Sequence, residues 1–221
     1  MTNDKKESSE IVSADSVYTW VIFITFAVAL SFSLNALINF SATQATSARV
    51  SQIQNYNAAY NGALLMTTAG RIDIEFYANK APLTVNNFIQ LSRKNFYDGT
   101  RFHRIIPGML IQGGDPLSKD IDNRAKWGTG GPGHSIAKED TRTSPRAGSI
   151  AMVGGEDEGI SHGSQFFILT SDDVASVDEN KYTIFARVTD GMDIARSIAQ
   201  ASTTEENIPV TPVTIEEVIL R

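Results

Sequence analysis

From Ser16 to Ala48 the chain carries no charged side chain, and the heart of that stretch, Val17 to Phe40, reads VYTWVIFITFAVALSFSLNALINF. As a helix this segment would extend roughly 36 Å at 1.5 Å per residue, against about 30 Å of bilayer hydrocarbon. Only lipid or a large core can cover such a run, and a chain of 221 residues has room for one medium domain plus an appendage. Tyr18 and Trp20 sit near one end, where amphipathic rings favour a membrane interface. The reading is a single membrane anchor. A buried helix of a soluble protein and a cleaved signal peptide are the alternatives. Small residues at Ala42, Ala45 and Ala48 would permit cleavage, but the run exceeds the usual apolar length and its leading segment is long and partly acidic. Lys5 and Lys6 precede the span and only Arg49 follows closely, which orients the N-terminus to the cytoplasm and the rest outside.

Turn residues mark the next boundary. All 16 Gly and all 7 Pro lie at or after Gly62. The expected organisation is therefore a cytoplasmic tail over 1–16, a transmembrane signal-anchor helix over 17–40, a polar tether over 41–61 and a folded domain over 62–221. The tether is rich in Ser, Ala, Gln and Asn and is compatible with a helix. Beyond it, short strands alternate with turns. In RIDIEFY (Arg71–Tyr77), Ile72, Ile74 and Phe76 face one way, Asp73 and Glu75 the other. Ala63–Thr67 pairs with it as a hairpin across Ala69-Gly70. Further strands are expected over Arg101–Ile106, Met109–Gln112, Ser149–Val153, Gln165–Leu169, Thr183–Val188 and Val213–Leu220. Helices are expected from Pro82, with Val85, Phe88 and Ile89 on one face, and over Met192–Gln200. The pattern predicts a mainly β fold: a closed eight-stranded antiparallel barrel capped by two helices, after the N-terminal transmembrane helix.

Several chemistries are excluded or unsupported. A formal charge of −6 with no basic block lacks the footprint of a nucleic-acid binder. The absence of cysteine removes disulfides, thiolate zinc sites and a thiol nucleophile, and leaves the compartment unsettled. GTGGPG (Gly128–Gly133) lacks the GK[ST] ending of a phosphate loop. HGSQF (His162–Phe166) sets a Ser beside a His without the GxSxG frame or a spaced carboxylate. His103, His134 and His162 share no helix face, so no metal site and no cofactor is expected.

The run FHRIIPGMLIQGGDP, Phe102 to Pro116, stands apart. Alternation puts Arg104 and Ile106 on one face of an otherwise apolar strand. By pattern alone Arg104 is either a solvated edge charge or a guanidinium held over a pocket, with Gln112 one strand later. Gly113-Gly114 reads as a turn needing positive φ or close backbone approach. In GSQFFI (Gly163–Ile168), Gln165 and Phe167 share one face.

APLTVNNF, FYDGTRFHRIIPGMLIQGGD, GSQFFI and KYTIFARV occur in that order between Ala63 and Leu220. With these motifs the chain resembles the cyclophilin-type peptidyl-prolyl cis-trans isomerases. The resemblance implies that Arg104 is the catalytic arginine and that Gln112 holds substrate backbone and orients it. It makes Met109 and Leu110 apolar pocket positions, Phe167 the floor of the proline pocket and Gln165 part of its lining. Tyr182 stands where members carry His or Tyr. Val177 takes an apolar rim position in a segment one residue longer than the common pattern. Val153 and Gly154 fall where the family often has Ala-Asn. Leu117–Trp127 resembles an insertion of some microbial members, with no role assigned.

The chemistry suits these residue types. Rotation about an X–Pro bond meets a barrier of about 18–20 kcal/mol because lone-pair resonance stiffens it. No covalent bond breaks, so no nucleophile is needed; the site must prefer the twisted amide to either planar form. Twisting restores a lone pair on the proline nitrogen, and a permanently charged guanidinium can donate to it. The implied partners are proline-containing polypeptides, cyclosporin-type cyclic peptides and, through the N-terminal helix, a membrane. The implied role is assistance to folding outside the cytoplasm, from a single-pass anchor or as a secreted protein if the segment is cleaved. The alternative is a proline-segment binding module or chaperone with little turnover.

Overall fold

The computed structural model describes residues 14–155, 159–173 and 181–221. The chain divides into two compact units, one up to Ser51 and one from Gln52 to Arg221. The first is helical: α1 runs from Ala14 to Ala59, and its large apolar side chains from Tyr18 to Phe40 are exposed. Over Tyr18–Ala59 it is long and apolar enough to cross a membrane by length and composition. Its last turns lie in the second unit. There Tyr56 packs under the Arg93 guanidinium at 4.7 Å and the Asn57 amide donates to the Pro82 carbonyl at 3.1 Å.

Among the described residues the second unit holds nine strands: β1 Gly62–Thr67, β2 Gly70–Phe76, β3 Arg104–Ile106, β4 Leu110–Gly113, β5 Ile136–Ala137, β6 Ser149–Gly154, β7 Ile160–Leu169, β8 Thr183–Asp190 and β9 Ile215–Leu220. They form one antiparallel sheet in the order β3-β4-β7-β6-β8-β2-β1-β9, with β5 on β7. The sheet curls but does not close, contrary to the eight-stranded barrel expected from the pattern. The segment before β3 meets the segment before β9 at a single bridge, Arg101 to Thr214, and the Phe102 N–H donates to the Val213 carbonyl at 3.0 Å. β3 itself is three residues long. Past that bridge the Ile105 N–H donates to the Asn207 carbonyl of a loop instead of to β9. All eight expected strands are present with adjusted ends, and β5 is the addition.

Two helices join α1, giving three α-helices among the described residues: α2 (Pro82–Ser92) and α3 (Met192–Ile198). Ala81 gives α2 no side-chain cap, and Glu139 supplies one from another loop. Its carboxylate accepts from Leu83 N–H at 3.0 Å and from Thr84 N–H at 2.8 Å and Oγ1–H at 2.7 Å. The main core fills the concave side of the sheet with Ile72, Ile74, Phe88, Ile105, Ile111, Phe166 and Phe185. Asp73 departs from the expected outward face. It is buried and paired with Arg221 at 2.9 Å and Arg71 at 3.5 Å. A smaller apolar cluster lies on the opposite side of β3, β4, β6, β7 and β8.

Candidate active site

Register alone assembles that second face. Arg104 on β3 lies opposite Gln112 on β4, and Gln112 opposite Phe167 on β7. Phe167 in turn faces Ala151 on β6, which faces Ile184 on β8. With a side-chain period of two, the same face carries Ile106, Leu110, Gln165 and Leu169. Leu110, Ala151, Phe167, Leu169 and Ile184 are buried, and Ile106, Met109, Val153, Tyr77 and Tyr182 pack around them half-exposed. The Phe167 and Tyr182 rings meet edge to face at 4.9 Å. An apolar cup with an aromatic floor results.

A polar chain borders this cup, and its direction is determined. Gln165 is buried, and its Nε2 donates to the Gly128 and Gly130 carbonyls, both at 2.9 Å. Those carbonyls only accept, so Gln165 Oε1 must face Gln112. Gln112 Nε2 donates to it at 2.9 Å, which leaves Gln112 Oε1 to accept from Arg104 Nη1 at 3.3 Å. Arg104 is half-buried and, among the described residues, forms no ion pair. Among the described residues its side chain is held by one neutral amide, and no carboxylate pairs with its charge beside the cup. Next to it, burial holds the His103 imidazole below its ordinary range; Asp115 opposes that shift and Arg104 adds to it.

Loop 117–127 participates through its ends. Asp115 is fully buried, and its carboxylate accepts from Leu117 N–H at 2.7 Å and from Gly128 N–H. It thus pins the loop's entry to the glycine that holds Gln165. A side chain at Gly130 would place Cβ 2.2 Å from Asp115 Oδ1, so only glycine fits there. Beyond Gln165 a cleft of about 480 Å³ opens between Thr129, Pro132, His134, Gly155 and His162. His162 Nε2 lies 3.4 Å from Gln165 Nε2, while His134 is exposed and bonded to Asn87.

Of the residues singled out in the sequence, Arg104, Gln112 and Gln165 form the polar chain, and Met109, Leu110, Val153, Phe167 and Tyr182 belong to the cup. Gly154 pairs with Ser161 at the end of β6, and a Cβ there would lie 2.9 Å from the Lys181 carbonyl. An Asn at this position would thus be crowded. Val177 lies outside the described residues. Sequence reasoning missed Tyr77, Ile106, Ala151, Leu169 and Ile184 as cup residues, and missed the two loop carbonyls. Ile106 was within reach, since alternation already placed it beside Arg104.

Residues 63–220 match the cyclophilin type peptidyl-prolyl cis-trans isomerase family. The chain belongs to that family. It is 37% identical over 149 residues to peptidyl-prolyl cis-trans isomerase B of Bacillus subtilis, covering 66% of this chain and 94% of the relative. With isomerase A of Dickeya dadantii it shares 35% identity over 161 residues, covering 69% and 80%. Among solved structures, a Cryptosporidium parvum cyclophilin determined in the presence of the dipeptide Ala-Pro superposes with a TM-score of 0.62 at 26% identity. The match covers 72% of this chain and 98% of that one. The chain is thus a cyclophilin-type isomerase, and its fold is cyclophilin-like.

Proposed function

We propose that this cyclophilin-type isomerase accelerates X–Pro rotation with Arg104 as the donor to the twisted amide, on exposed segments of proteins outside the cytoplasm. The proline ring sits in the cup on Phe167, flanked by Met109, Leu110 and Val153. The preceding carbonyl swings while Gln112 steadies the chain and Tyr182 closes the far wall. The Val153-Gly154 backbone aligns the substrate. The observation that carries this reading is a guanidinium held by a single neutral amide beside an apolar cup. In its planar ground state the proline nitrogen has no lone pair to offer; in the rotated state it does, so the arginine interacts more strongly with the transition state. Cup burial supplies grip at about 25 cal/mol per Å² of apolar surface but acts on both states alike.

The membrane role rests on the apolar part of α1 and on Lys5 and Lys6 before it. As a single-pass anchor over 17–40, it would leave residues 62–221 free to reach clients in the extracytoplasmic space. Two measurements test the proposal. A protease-coupled proline-isomer assay on the full chain in detergent should show acceleration that Arg104→Ala removes; equal acceleration by both proteins overturns the catalytic assignment. A reporter fused after Arg221 should be active only outside the cytoplasm, and activity inside overturns the orientation.

A further inference from the structure

Met109 ends the tight β3–β4 connection, next to exposed Pro107 and Gly108. Its backbone is pinned on both sides: Met109 N–H donates to the Ile106 carbonyl at 3.0 Å, and Thr170 N–H donates to the Met109 carbonyl at 2.8 Å. The side chain is half-buried and packs on the cup. Cysteine is absent, so methionine thioethers are the only side-chain sulfurs an oxidant can meet. Met152 is fully buried. Met66 and Met192 are half-buried, but neither belongs to the cup. Met109 therefore combines access with a place in the substrate-binding wall.

We propose that Met109 is an oxidative modification site through which hydrogen peroxide lowers the isomerase activity. The thioether sulfur donates a lone pair to one peroxide oxygen, the O–O bond breaks, and water leaves after proton transfer. Sulfur is oxidised by two electrons and the peroxide is reduced by two. The product sulfoxide sets a strong acceptor dipole among the apolar side chains of Leu110, Val153 and Phe167. Backbone anchoring confines the damage to the side chain, and sulfoxide reductases reverse it. The inference rests on the reading of the cup as the proline pocket.

The test treats the full chain in detergent with hydrogen peroxide, maps each methionine by mass spectrometry and follows isomerisation. As Met109 converts, kcat/KM should fall about tenfold, equivalent to about 1.4 kcal/mol, and methionine sulfoxide reductases should restore it. Met109→Leu, judged against its own untreated activity, should stay within twofold through the same treatment. Equal loss in Met109→Leu, full conversion of Met109 without loss, or conversion of Met66 and Met192 while Met109 stays intact would each overturn the proposal. A protein inactive before treatment would instead refute the isomerase reading. The mass map would still show whether Met109 is the oxidised residue.

Discussion

Gln112→Glu exchanges one NH2 group for an oxygen where every hydrogen bond around it has a determined direction. Gln165 cannot turn its amide, because its Nε2 is held by two carbonyls at 2.9 Å. Its Oε1 would then face the new carboxylate at the 2.9 Å now spanned by a hydrogen bond. Losing that bond and leaving a buried oxygen unpaired costs about 1–3 kcal/mol. On the other side the new charge lies 3.3 Å from the Arg104 guanidinium. Their attraction is about 5 kcal/mol at an effective dielectric near 20, before desolvation of the carboxylate is subtracted. The two effects offset each other in folding but not in catalysis, since the guanidinium is now answered within the protein. A hydrogen bond to a charged group is worth about 1.5–3 kcal/mol. Weakening the one made to the twisted amide should lower kcat/KM about 10- to 100-fold at pH 7. The protease-coupled assay reads the loss, and thermal unfolding should show Tm within a few degrees of wild type. Acidifying until the introduced carboxyl protonates restores a donor toward Gln165 and should recover part of the rate. Activity within twofold of wild type at neutral pH would refute the claim that Arg104 acts through an unanswered charge.

Glu139→Ala removes the cap of α2 and should destabilise the protein by about 1–2 kcal/mol in urea unfolding, with kcat/KM per folded molecule unchanged. Burial depresses the His103 pKa from its ordinary 6.5. As pH falls below about 6.5, the unfolded chain takes up a proton that the folded one does not. Stability should therefore drop by up to about 1.4 kcal/mol per pH unit down to the folded pKa. His103→Gln should flatten that limb of a Tm-against-pH curve, and an unchanged slope would contradict it. Among truncations, a 52–221 fragment should exceed a 62–221 fragment in stability by about 1–2 kcal/mol, because only the longer one keeps the Tyr56–Arg93 and Asn57–Pro82 contacts. Equal unfolding midpoints would assign those turns no part in the domain.

Alternation made β2 and the β3–β4 pair legible, because one face of each is apolar enough to stand out. The same rule placed Arg104 with Ile106. It failed where the sheet is covered on both sides. Gly163–Leu169 of β7, Ser149–Met152 of β6 and Thr183–Ala186 of β8 are buried throughout, so no polar face marks which of their residues line the cup. Ala151, Leu169 and Ile184 were hidden for that reason. Barrel closure was equally illegible, since it turns on whether the ends of β3 and β9 form a ladder or a single bridge, and residues 101–103 carry no local signal for either. β5 has two residues, below the length at which any pattern exists. Asp73 followed the polar pattern of β2 and lies buried because Arg71 and Arg221 cover it from the same strand and the end of the chain. The partners of Gln165 are main-chain carbonyls, which leave no trace in residue types. Loop 117–127 reaches Gln165 through Asp115 and Gly128 at its borders, while its own Ser118 side chain accepts from the Arg101 N–H at 2.8 Å.

The central claim is that Arg104 stabilises the rotated amide far more than the bound planar one. Exchange NMR on a proline peptide with resolved cis and trans signals separates the two directly, since shift changes report binding and exchange broadening reports turnover. With Arg104→Ala, the account predicts binding within a few-fold of wild type and an exchange rate reduced at least about 100-fold, close to 2.7 kcal/mol of lost transition-state stabilisation. Exchange at the wild-type rate in Arg104→Ala, or a loss of binding that accounts for the whole effect, would contradict it.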